Sequence, residues 1–207
     1  MTPRTLSKLT GASYLIIFFA AIFANFFVLE AILQDPIGTI QQDHQTVRFG
    51  IMAFMITVVF DVVVAWTLSE LFKDHPLTKL STYFRMMHAA IMGVAIFALP
   101  LTLGMTSSEA ILGQIDIFNT IWLIGLFFFG IHLLLLSVIL QRPKWIAIFL
   151  ALAGLMYMVD TSAHFLLANY DDYADIFLAL VAIPSIVGEM SLAIWLLFKG
   201  EKHQIPN

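Results

Sequence analysis

Six apolar stretches, each about as long as a bilayer is thick, constrain this chain more than any other feature. They cover roughly residues 12–33, 48–72, 84–103, 118–140, 145–167 and 176–197. A helix needs about 20 mostly apolar residues to cross the hydrocarbon core. In lipid, only a helix or a closed barrel satisfies every backbone hydrogen bond. The pattern therefore predicts an all-α polytopic membrane protein, a single six-helix transmembrane domain over residues 1–207. The short connections predict that consecutive helices are antiparallel neighbours. A soluble helical bundle would need a polar face on every helix, and the run from Thr120 to Leu140 offers almost none. Composition agrees: 12% of residues are charged and mean hydropathy is +0.93, whereas soluble domains carry about 25% charged residues. The first stretch is read as a span and not as a cleaved signal, because it is too long for a signal core and lacks an A-x-A site.

Lys and Arg set the expected direction. With the N-terminus inside, the inner segments hold Arg4, Lys8, Lys73, Lys79, Arg85, Arg142, Lys144, Lys199 and Lys202, and the outer segments hold only Arg48. The outer loops carry Asp35, Asp43, Glu109, Asp116, Asp171, Asp172 and Asp175. Both termini are thus expected on the cytoplasmic side. Trp66, Trp145 and Trp195 near the inner helix ends fit an interfacial aromatic belt. The net charge of −4 and the lack of a basic patch argue against nucleic acid. No cysteine is present, which removes disulfides, thiolate metal sites and cysteine nucleophiles.

Ionisable residues inside spans are costly and need a partner or a purpose. Asp61 lies 12 residues before Lys73, His132 lies 12 before Lys144, and Glu189 lies 10 before Lys199. At about 1.5 Å per residue, all three fall about 15–18 Å above their basic anchors, near the midplane. Arg85 and His88 share one face of the third span, so both can point inward, and Arg85 can snorkel or pair with Glu189 or Asp61. Pro184 and Gly188 precede Glu189, and a proline kink there would free carbonyls beside the carboxylate. Spans two and six share a loose pattern, Asp61 to Lys73 against Glu189 to Lys199, which chance explains as well as an internal repeat. Tyr157, Asp160 and His164 form a second, outer group at i, i+3 and i+7 on the fifth span.

These residues allow three chemistries. Two histidines and two carboxylates suit zinc or iron, and His88 with His132 suits bis-histidine haem. Asp, Glu and His chains also mark proton or substrate pathways. Third, Arg85 could hold Asp61 and Glu189 in a buried salt-bridge network that only fixes helix register. The reading preferred here is a site of Asp61, Arg85, His132 and Glu189, with His88 as a further candidate, that binds a small ligand, ion or metal. The alternative is a membrane-embedded enzyme that depends on a metal or haem. No G-x-S-x-G elbow, P-loop or dinucleotide fingerprint is present.

Several segments carry a resemblance. These are Phe129-Gly130-Ile131-His132 through Leu135, Arg142-Pro143, Ala153-Gly154 with Tyr157 and Asp160, and Gly188-Glu189 with Ala193, Trp195 to Leu197 and Lys199-Gly200. Together with Asp61 and Phe84-Arg85 they resemble the bacterial membrane family called Domain of Unknown Function 4386. The likeness runs through nearly the whole chain and is strongest from about residue 118. Met156 stands where the family has a second glycine, and the family does not usually carry a histidine at His88. The resemblance implies a six-helix prokaryotic membrane protein, directs attention to Asp61, Arg85, His132, Asp160 and Glu189, and implies no reaction.

Overall fold

A computed structural model describes residues 1–199; Gly200 and Lys202, used above, lie outside the described residues. Among the described residues every regular element is helical. Six helices are long and apolar enough to cross a membrane: α1 (Pro3–Gln34), α2 (His44–Leu71), α3 (Thr78–Gly104), α4 (Ser108–Ile139), α5 (Lys144–Leu166) and α6 (Tyr170–Phe198). The chain is a multi-pass membrane protein, as its sequence pattern predicts. Several helices begin well before their apolar stretch. Hydropathy marks the lipid-facing length, whereas capping sets where a helix starts. The Thr2 hydroxyl accepts from the Thr5 amide ahead of Pro3, and the Ser107 hydroxyl accepts from the Ala110 amide.

The helices form a closed ring in chain order. Each packs against the next, and α6 returns to α1. Small residues make the tight seams, because helices in lipid associate by close packing. A methyl added at Gly130 would lie 2.6 Å from the Gly154 carbonyl oxygen, and one at Gly154 equally close to that of Gly130. Gly11 meets Ala193 of α6 in the same way, and the Ser7 hydroxyl donates to the Leu196 carbonyl at 2.6 Å. These contacts lock α4 to α5 and the first half of α1 to the last half of α6.

The face bearing Lys8, Lys73, Lys79 and Lys144 is called basic here, the opposite one acidic. Toward the basic face, a core including Val64, Leu133, Leu150 and Leu192 fills the ring. Toward the acidic face, a second core including Ala24, Phe54, Ile96 and Phe118 joins α1 to α2, α3 and α4 only. In that half α1 contains a π-helical turn, Phe23–Leu29, that packs against α2. The outer halves of α1 and α6 thus part, leaving a gap in the ring. The outside is apolar: Phe97 is 72% exposed and Phe19 65%, as a lipid-facing surface requires. Trp66 and Trp145 are exposed near the basic end, where belt residues belong.

Candidate functional site

Arg85 is the centre of the polar layer. The basic bias of its flank suggests a surface cation, but it is only 1% exposed and so leaves the count of basic loop residues. Its Nη2 donates to Asp61 Oδ1 at 2.5 Å. Its Nη1 lies 3.0 Å from the Tyr14 hydroxyl and 3.2 Å from His132 Nε2. The guanidinium also stands 4.9 Å from the Tyr14 ring centre and 5.2 Å from that of Phe129. A buried cation needs both a counter-charge and filled donors. Asp61 supplies the first, and α1, α2, α3 and α4 meet around the second. Arg85 Nε has no hydrogen-bond partner among the described residues.

Both histidines are held by backbone carbonyls. His132 Nδ1 lies 3.0 Å from the Ser81 carbonyl oxygen, which can only accept, so Nε2 is left to accept from Arg85. His88 Nδ1 donates to the Gly125 carbonyl at 2.9 Å, and its Nε2 lies 3.5 Å from Asp61 Oδ2. These contacts bear on the metal and haem expectation for His88 and His132. The lone pair that a metal would need on His132 faces a guanidinium, and Arg85 stands beside it. No group of three His, Asp or Glu side chains among the described residues is arranged to hold a metal ion. His132 is thus tied to Arg85, and His88 to Asp61 and the Gly125 carbonyl.

Glu189 shares the layer but not the network. Ser185 Oγ donates to Glu189 Oε1 at 2.8 Å and lies 2.9 Å from the Tyr157 hydroxyl. The serine hydrogen is spent on Glu189, so Tyr157 donates to Ser185. Among the described residues no Lys, Arg or His nitrogen lies within 4.0 Å of Glu189. Of the two carboxylates open to Arg85 in the sequence, Asp61 is its partner, and among the described residues Glu189 is not. Pro184 lies inside a continuous helix, Ala174–Phe198. Gly188 faces α5, where an added methyl would meet the backbone of Phe149 and Leu150 at 3.1 Å. That glycine serves packing, while its neighbour Glu189 points the other way.

Above this layer lies a cavity of about 640 Å³. Tyr14, Asp61, Arg85, His88, Ser185 and Glu189 contribute its polar end. Apolar residues such as Phe18, Leu29, Trp122, Leu126 and Val181 line the rest. The lining also includes Phe26, Leu33, Leu178 and Ile186, which are 68, 45, 59 and 49% exposed. They lie on the outer halves of α1 and α6, so the cavity opens sideways through the gap between those helices. The π-helical turn places Asn25, Phe26 and Leu29 on its wall; such turns recur at functional sites.

The outer group divides. Asp160 lines the cavity and accepts from the Tyr170 hydroxyl at 2.6 Å. His164 is exposed and packs its ring 4.7 Å from Tyr170. Tyr157 instead joins Ser185 and Glu189. Its place was legible: Tyr157 lies 13 residues past Lys144, the same depth as Asp61 and His132. Tyr14 lies six residues past Lys8, as Arg85 does past Lys79, so a hydroxyl beside the guanidinium was legible by the same rule. Ser81, Ser185 and the π-helical turn carry no comparable signal.

The fold and site define a six-helix membrane protein with a half-open, polar-ended cavity. The family model described as a domain of unknown function (DUF4386) matches residues 9–200, and the chain belongs to that family. It is similar to an uncharacterized protein of Archaeoglobus fulgidus, 27% identical over 160 residues, which cover 74% of this chain and 85% of the relative. No solved structure matches the chain.

Proposed function

We propose that the chain binds a small, mainly apolar molecule in the cavity between α1 and α6, with the polar end of that molecule on the Asp61, Arg85, His88 and Glu189 layer. The carrying observation is the cavity itself. Its volume of about 640 Å³ falls within the range of small-molecule sites, about 300–1,000 Å³, which are typically apolar with a few convergent polar groups. A bare inorganic ion would leave most of the walls unused. The basic face is taken as cytoplasmic from the Lys and Arg bias, so the cavity opens toward the outer leaflet of a prokaryotic cell membrane. The metal- or haem-dependent enzyme has no support from the donor geometry of His88 and His132.

Ala21 of α1 and Ala182 of α6 line the cavity, and a Trp at either position would fill part of it. Protein purified in mild detergent should release a stoichiometric small molecule on solvent extraction, identified by mass. Ala21→Trp and Ala182→Trp should fold, elute as wild type and release none. Release of the same molecule in the same amount from both variants would sink the proposal.

A further inference from the structure

We propose that the molecule this cavity takes is a lipophilic organic cation, and that Glu189 is its counter-ion. This rests on the cavity reading above and adds the sign of the ligand's charge. The charged residues lining the cavity are Glu30, Asp61, Asp160, Glu189 and Arg85. Four are acids and one is a guanidinium, which is already spent: Arg85 holds Asp61 at 2.5 Å, and the imidazole of His88, the other base on the lining, also faces Asp61, at 3.5 Å. An anionic head would find no uncommitted cation there. The Arg85 Nε–H, without a hydrogen-bond partner among the described residues, adds a donor on a guanidinium that Asp61 already offsets, so it does not supply net positive charge. A cationic head would find Glu189, whose described contact is the Ser185 hydroxyl at 2.8 Å.

The walls favour the same charge. Phe18, Phe26, Trp122, Phe129 and Tyr157 line the cavity, and the faces of aromatic rings attract cations, most strongly where water is excluded. Quaternary and bulky ammonium groups are recognised this way. The route in selects for lipophilicity. The mouth is formed by Phe26, Leu33, Leu178 and Ile186 on the lipid-facing side, so a ligand arrives from the bilayer. A hydrophilic cation would have to leave water to reach that mouth, whereas a cation wrapped in apolar groups already partitions there.

The test uses two probes of one shape and opposite charge, tetraphenylphosphonium and tetraphenylborate. Equilibrium binding of each is measured on the full chain in lipid nanodiscs, with empty nanodiscs subtracted. Tetraphenylphosphonium should bind saturably, and tetraphenylborate at least about tenfold more weakly, a gap of ~1.4 kcal/mol. Glu189→Gln should weaken the cation about tenfold or more, while Glu189→Asp, which keeps the charge, should stay within about threefold. The aspartate variant separates lost charge from lost fold. Equal binding of both probes, or unchanged cation binding in Glu189→Gln, overturns the inference. If Ala182→Trp abolishes binding in that case, the cavity reading still stands. If Ala182→Trp leaves saturable binding of both probes untouched, the cavity reading falls with it. Absence of any saturable cation binding also overturns the cation assignment.

Discussion

Asp61 and Glu189 are both carboxylates in one layer of the membrane interior, on helices that run the same way, and their surroundings have little in common. Asp61 is 5% exposed and is gripped by Arg85, with His88 3.5 Å away. Glu189 lines the cavity and takes one hydroxyl from Ser185. The difference follows from their neighbours. Asp61 lies on α2, beside the α3 that carries Arg85. Glu189 lies on α6, beside α5 and α1, which supply Tyr157 and an apolar wall but no cation. One side of the layer behaves as a structural pin, and on the proposal above the other supplies the counter-charge for a ligand. The salt bridge that the sequence allows is present at Asp61, and the binding site proposed above would use the other side of the same layer.

That contrast can be broken by substitution, with the largest effect expected at the pin. Arg85→Leu leaves Asp61 charged and alone inside the membrane, and removal of one partner of a buried pair costs about 3–5 kcal/mol. Reversible unfolding in mixed micelles would measure it. The double variant Arg85→Leu, Asp61→Leu should recover much of that loss, because apolar replacement of a whole buried pair is often near neutral. A double variant as damaged as the sum of the singles would mean that the two residues do not act as a pair.

Gly154→Leu should come next. It drives a side chain into the Gly130 backbone across the α4–α5 seam, and overpacking of this kind costs about 1–3 kcal/mol. The same unfolding measurement applies, and unchanged stability would show that the seam tolerates a side chain there. Tyr14→Phe removes one acceptor from Arg85, a loss of about 1.5–3 kcal/mol for a hydrogen bond to a charged group. A larger loss would show that Tyr14, and not Asp61, is the main anchor.

The sequence made much of the layer's depth legible and little of its partnership. Counting from Lys73 and Lys144 placed Asp61 and His132 at one level, and they do meet Arg85. The same count placed Glu189 correctly but could not say which helices flank it, and ring order decides that. Tyr157 shares helical spacing with Asp160 and His164 but depth with Glu189, and depth decides its partner. Spacing along one helix says which residues share a stripe; depth across helices says which can meet. The gap between α1 and α6 was not legible. It depends on the π-helical turn at Phe23–Leu29, which rotates the end of α1 onto α2 without any proline or glycine inside it to announce the change.

The two carboxylates themselves offer the most direct measurement: unfolding free energies of Asp61→Asn and Glu189→Gln, determined side by side in the same micelles. Asp61→Asn should cost about 3 kcal/mol, because Arg85 is left buried without its counter-charge. Glu189→Gln should change stability by less than about 1 kcal/mol, because only a hydroxyl contact is altered. Equal losses in the two variants would contradict the division of the layer into a pin and an open site.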